Sequence, residues 1–117
     1  RLESVPNALE QAKQAASAIC GKPGPAPDVP WFWSDQYELR LQIAGIPFDA
    51  TDIAVRGSVA EGKFALFHLG ADGTVLAVEA VNASMEFMGG RRIIQRRKKL
   101  SRAQIEDMAV SMQQLAA

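Results

Sequence analysis

The chain has 117 residues, 48% of them hydrophobic, and its 13 Lys plus Arg balance 13 Asp plus Glu. That length allows one domain with a core of its own, and zero net charge excludes a global field that would draw nucleic acid or an anionic membrane. No apolar run approaches the ~18 residues of a spanning helix, no secretory signal opens the chain, and the lone Cys20 excludes a disulfide framework or a Cys-x-x-Cys redox pair; the reading is a soluble, cytoplasmic protein with an incidental thiol.

Residues 4–20 read as a helix. Ser4 is placed to cap it, Pro6 falls in the first turn, and Gly21 stops it. Val5, Ala8, Leu9, Ala12, Ala16 and Ile19 recur at helical spacing as a thin, alanine-rich stripe. A lone helix of this length is marginal in water, so its order must come from packing. The chain begins at Arg1 without a methionine and reads as a piece of something longer. The helix is therefore expected to find a substitute neighbour: another molecule, giving a non-native oligomer, or a refolded contact.

Residues 22–30 contain Pro23, Pro25, Pro27 and Pro30, which favour an extended, semi-rigid connector and cannot continue a helix. The domain boundary is placed here, with the compact unit beginning near Trp31. Trp31, Phe32 and Trp33 follow at once and include both tryptophans of the chain. Standing where a connector enters a domain, this aromatic wedge serves either to plug the linker or to face a flat ligand, and composition favours neither.

Beyond the wedge the period changes to two. Tyr37, Leu39, Leu41 and Ile43 alternate with Glu38, Arg40 and Gln42, as a strand with one buried and one wet face requires. Ile53 to Gly57 is a shorter strand, and residues 64–69 and 74–81 flank Gly70-Ala71-Asp72-Gly73, whose Asp-Gly pair signals a hairpin. Residues 84–98 read as a helix with Phe87, Ile93 and Ile94 turned to the sheet, weakened at Gly89-Gly90 by about 1 kcal/mol per glycine relative to alanine. Ser101 to Gln104 and Ser111 to Gln114 have capping-box spacing and open two short helices. The fold class is α+β: a small antiparallel sheet of three to five strands packed against helices, preceded by the N-terminal helix.

Self-contained chemistry is sparse. His68 lies inside the hairpin pattern with no second histidine or cysteine beside it, so it reads as structural, and no residue is assigned a catalytic or metal-binding role. No glycine-rich phosphate loop is present. The basic run Arg91, Arg92, Arg96, Arg97, Lys98 and Lys99 is either a solvated helix surface or a docking patch for an acidic protein. Nucleic acid is a poorer fit, because no aromatic residues interleave the run.

Arg1 to Ala8, the alanine-rich helix after it, Val29-Pro30-Trp31-Phe32-Trp33-Ser34-Asp35-Gln36, Val78 to Asn82, Glu86-Phe87-Met88 and Arg91-Arg92 carry a likeness that runs over nearly the whole chain. It resembles the C-terminal portion of FAD-dependent NAD(P)H:ferredoxin reductases serving oxygenase systems, and the Pro-Trp-Phe-Trp-Ser-Asp-Gln string is the most specific element. The resemblance implies that residues 1–21 are the last helix of an FAD domain, 22–30 a linker and 31–117 the reductase C-terminal domain. FAD and NAD(P)H would be held by Rossmann-type domains outside this chain, with none bound to the fragment, which alone should be inactive. The partner implied is a [2Fe–2S] ferredoxin feeding a cytochrome P450 or a ring-hydroxylating dioxygenase. Ser4 and Val5 would turn the positive end of their helix to the flavin, although Pro6 stands where glutamine is expected and removes a donor. Trp31 and Trp33 would lie by the flavin face, Trp33 closer, covering the ring and shortening the gap to the cluster. Trp33, Arg91 and Arg92 would help to dock the ferredoxin. Gly89-Gly90 also departs from the family's helix-forming residues. The alternative is a non-catalytic dimerisation or protein-interaction module whose tryptophans lock the linker.

Overall fold

The computed structural model describes residues 1–117. A helix, α1 (Val5–Ile19), precedes five strands, β1 (Trp31–Gln36), β2 (Leu39–Gly45), β3 (Asp52–Ser58), β4 (Lys63–Leu69) and β5 (Val75–Val81), and three helices follow, α2 (Ser84–Gln95), α3 (Arg102–Glu106) and α4 (Met112–Ala116). The strands form one antiparallel sheet in the order β1-β2-β5-β4-β3. The α+β expectation holds, with five strands.

The local signals explain most element ends. Ser4 caps α1 by accepting from the Asn7 N–H at 3.3 Å, and Gly21 takes the left-handed conformation beyond its end at φ +63°. Both expected capping boxes are present, on Ser101 with Gln104 and on Ser111 with Gln114. The β4–β5 turn closes with Gly73 at φ +82°, and Asp72 beside it accepts from Lys99 Nζ at 2.8 Å and from the Thr74 N–H at 3.1 Å. The Lys99 and Thr74 bonds hold the Asp72 carboxyl well below the usual aspartate range.

Two expectations fail in this region. The tryptophans stand inside β1 rather than ahead of the first strand, and Tyr37, expected to open that strand, sits fully exposed at the β1–β2 turn with φ +55°. The faces of β2 are also exchanged. Transverse rows across the sheet, Trp31-Ala44-Val78-Phe67-Ala54 and Trp33-Gln42-Ala80-Ala65-Arg56, lie on the side that carries the helices. Leu41 and Ile43 fall on the other side. A period of two separates two faces without saying which is covered. Here the helices pack on the face rich in alanine, where short side chains leave room for Phe67, Phe87, Ile93 and Ile105.

The same geometry resolves the glycine pair. A Cβ on Gly90 would lie 2.8 Å from Val78 Cγ1, and one on Gly89 would lie 2.7 Å from Met112 Cε. The glycines let α2 approach β5 and α4 closely, and the helix runs through them unbroken to Gln95.

Arg56 fastens the far end of the helix layer. It is 3% exposed, and its guanidinium donates to the carbonyls of Ile105 (2.9 Å), Asp107 (2.8 Å) and Val110 (2.6 Å), with Glu86 Oε1 at 3.8 Å from Nε. By contrast, α1 buries none of its residues: Val5, Leu9 and Ile19 of its stripe are exposed, and the helix meets the sheet chiefly along β1.

Candidate functional site

The aromatic motif is built by β1 and held from both sides. Alternation in β1 puts Trp31 and Trp33 on one face, with ring centroids 5.5 Å apart and planes tilted by 31°. Trp31 is partly buried against Phe87 of α2, at 5.8 Å between centroids, whereas Trp33 remains 44% exposed. Arg91, one turn beyond Phe87, sets its guanidinium carbon 5.3 Å from the centre of the Trp31 ring and pairs with Asp28 of the linker. Val29 is buried in the core, and the carbonyl of Pro30 accepts from Gly45 N–H at 2.9 Å. The end of the linker is thus fixed, and with it the plane of the tryptophan pair. An offset aromatic pair and a cation over a ring face each favour such an arrangement.

The pair opens onto a cleft of about 500 Å³ whose opposite wall is the start of α1, including Val5, Pro6 and Leu9. The helix carries no acidic residue in its first turn, and Ser4 already accepts from Asn7, while Glu3 just before the cap pairs with Arg1. Pro6 has no N–H to offer. Among the backbone donors of the first turn, Val5 has no partner within the chain. A planar, electron-rich group fits the edges of this cleft, between aromatic faces and a helix N-terminus, but the cleft is one side of a site and cannot enclose a dinucleotide.

Of the residues expected at the site, Val5, Trp31 and Trp33 are brought around one cleft, while Ser4 lines the neighbouring depression with Trp31 and Phe32. The basic run is dispersed. Arg96 donates to the carbonyls of Ala116 and Ala117 at 2.8 and 2.9 Å, and Lys98 to that of Leu115 at 2.7 Å, so both satisfy the C-terminal end of α4. Lys99 serves Asp72, and Arg91 serves Asp28 and Trp31. Arg92 and Arg97 keep their guanidinium groups free of ion pairs, and Arg92 borders a shallow depression with Met88, Gln95 and Glu10. Asp28 was given no role by sequence, and Phe87 only that of covering the sheet, because their contacts with Arg91 and Trp31 span more than fifty residues. Only the adjacency of Asp28 to the Pro-Trp motif hinted at the former.

His68 lies on the helix-free face, with Nε2 3.3 Å from Glu79 Oε1 but out of line for a hydrogen bond. No group of three or more His, Cys, Asp or Glu side chains could hold a metal ion, and no helix is long and apolar enough to cross a membrane.

Residues 31–116 match the family profile described as reductase C-terminal. The chain is 57% identical over 115 residues to the protein of Castellaniella defragrans named "Probable ferredoxin reductase CtmF", and 43% identical over 117 residues to putidaredoxin reductase CamA of Pseudomonas putida. It covers 98% and 100% of itself in these matches, and 28% of each relative. Among solved structures, the covalent putidaredoxin reductase–putidaredoxin complex matches with a TM-score of 0.91 at 43% identity, over 98% of this chain and 27% of that one. The chain therefore spans a little over a quarter of the curated relatives it resembles.

Proposed function

This chain belongs to the reductase C-terminal family, and we propose that it is the last part of a longer flavoprotein that passes electrons from NAD(P)H through FAD to a [2Fe–2S] ferredoxin, which in turn feeds a cytochrome P450 or a ring-hydroxylating dioxygenase. In this reading α1 closes the FAD domain, residues 22–30 join it to the C-terminal domain, and residues 31–117 form that domain. The cofactors of the longer protein, FAD and NAD(P)H, supply the hydride and electron chemistry.

The residues of this chain bind, orient and exclude water. Val5 would offer its unpaired backbone N–H, and the start of α1 its dipole, to the electron-rich edge of the flavin ring. Trp31 and Trp33 would cover one side of that ring, and Trp33, exposed beyond Trp31, would meet the incoming ferredoxin. Arg92, free of internal partners, is the better placed of the two sequence-expected cations to steer an acidic protein. Arg91 is already engaged and would hold the tryptophans in place.

The observation that carries the proposal is the fixed pair Trp31–Trp33 facing the N-terminus of α1 across an open cleft. A plug that only anchors the linker has no need of a half-exposed second indole. Replacing Trp33 by alanine in the full-length reductase, followed by stopped-flow absorbance, separates the two roles. The electron-transfer role requires slower ferredoxin reduction, with NAD(P)H-to-flavin transfer nearly intact. Loss of folding with no selective loss of ferredoxin reduction would leave only the plug.

A further inference from the structure

Three of the four methionines lie at the surface: Met85, Met88 and Met108 are 57%, 68% and 58% exposed, while Met112 is buried against α2. Met88 stands apart by its surroundings. Ser84, one turn earlier on α2, donates to Gln42 Oε1 at 3.1 Å, and Gln42 is the cross-strand partner of Trp33. Arg91, three residues later, lies over the Trp31 ring. The exposed thioether therefore borders the same surface as the half-exposed Trp33, on the helix side of the sheet. Arg92 is its neighbour at i+4 and lines one shallow depression with it, together with Gln95 and the linker residues Pro27 and Asp28. A flexible, polarisable apolar side chain beside an arginine without an ion pair suits contact with an acidic protein.

We propose that Met88 is an oxidation site through which hydrogen peroxide weakens ferredoxin docking. The proposal rests on reading the chain as part of a ferredoxin reductase, and it puts the outer turn of α2 beside Trp33 in the docking contact. In the step, a lone pair of Met88 Sδ attacks one peroxide oxygen, an S–O bond forms and the O–O bond breaks. Sulfur loses two electrons and the peroxide gains them. The departing hydroxide takes the proton of the transferred oxygen and leaves as water, with methionine sulfoxide as the other product. The change acts twice on the docking surface. An apolar group becomes a polar one that resists burial in a contact. Its new oxygen is also an acceptor one helical turn from the Arg92 guanidinium, and a hydrogen bond between them occupies the free cation that steers an acidic partner.

Peroxide treatment of the full-length, FAD-loaded reductase tests the proposal, followed by peptide mass spectrometry and, once peroxide is removed, by kinetics with a [2Fe–2S] ferredoxin that the reductase reduces. Met108, at the other end of the helix layer beside Arg56, is the internal reference of similar exposure. An excess of ferredoxin should slow oxidation of Met88 about fivefold, as for a side chain covered in a contact, and leave that of Met108 unchanged. Oxidised Met88 should raise KM for ferredoxin about tenfold, as for loss of one buried apolar side chain, with flavin bleaching by NAD(P)H unaltered. Met88→Leu, which stays apolar and cannot form a sulfoxide, should show the same KM before and after peroxide. Met88→Gln should show a raised KM without peroxide. Equal oxidation of Met88 with and without ferredoxin would overturn the proposal, and so would a peroxide-induced rise in KM that persists in Met88→Leu. A ferredoxin KM indifferent to Met88 oxidation defeats the switch and leaves the proposed function standing, whereas an untreated reductase that reduces no ferredoxin defeats both.

Discussion

Replacing Arg56 by methionine keeps most of the side-chain volume and removes the charged donors that tie α3 and the segment before α4 to β3. In the native chain the guanidinium satisfies the carbonyls of Ile105, Asp107 and Val110 at 2.6–2.9 Å, inside a site where Arg56 is only 3% exposed. Each hydrogen bond from a charged group contributes ~1.5–3 kcal/mol when its partner would otherwise be left unpaired. The three are not additive, because the loop can relax once the first is lost. Glu86, near the same site, also loses its counter-charge. The expected loss is about 3–5 kcal/mol, the range for breaking a buried charged network. Against a total stability of ~5–15 kcal/mol for a domain, that is a large share. Urea unfolding followed by tryptophan fluorescence measures it cleanly, because Trp31 and Trp33 sit on β1, at the sheet edge opposite β3. A midpoint shift worth less than about 1 kcal/mol would place those carbonyls in contact with water and refute the argument.

The paired glycines of α2 should respond differently to alanine. Gly90→Ala forces a Cβ to within 2.8–3.1 Å of the branched Val78 side chain, and the overpacking, ~1–3 kcal/mol, exceeds the helix-propensity gain of about 1 kcal/mol. Its melting temperature should fall, while Gly89→Ala, which meets mainly the mobile end of Met112, should melt close to the parent. Asp72 has its carboxyl pKa depressed in the folded state, so its contribution is present above the unfolded aspartate pKa and is lost as pH falls below it. Asp72→Asn should therefore flatten the acid limb of a stability-versus-pH curve and leave neutral pH behaviour with no further slope; an unchanged acid limb would contradict the assignment. Arg91→Ala should lower stability by only ~1 kcal/mol, since its ion pair is half-exposed. In the full-length reductase it should lower kcat for ferredoxin reduction more than it raises KM, whereas a pure docking residue would do the reverse.

The sequence made the elements legible wherever a local rule controls them. Ser4, Ser101 and Ser111 cap the helices that their spacing announces, and Asp72-Gly73 turns the hairpin it should. Alternation in residues 37–43 revealed a strand but not its covered side, which was settled by distant alanines in β3, β4 and β5 that admit the helices. Gly89-Gly90 looked like weakness in a helix because propensity sees only the helix, while Val78 and Met112 lie elsewhere in the chain. The six basic residues read as a solvated helix surface or a docking patch, yet Arg96 and Lys98 answer the carbonyls of a helix end formed some twenty residues later. The tryptophan motif stood out by composition, whereas its clamp did not, because Asp28 and Arg91 are 63 residues apart.

The most direct test of the central reading is the visible spectrum of the purified full-length gene product, recorded before and after NAD(P)H and then a [2Fe–2S] ferredoxin are added. Electron transfer through this protein predicts a bound-flavin band that bleaches with NAD(P)H and returns as oxidised ferredoxin is reduced. A colourless product that leaves both NAD(P)H and ferredoxin unchanged would contradict it.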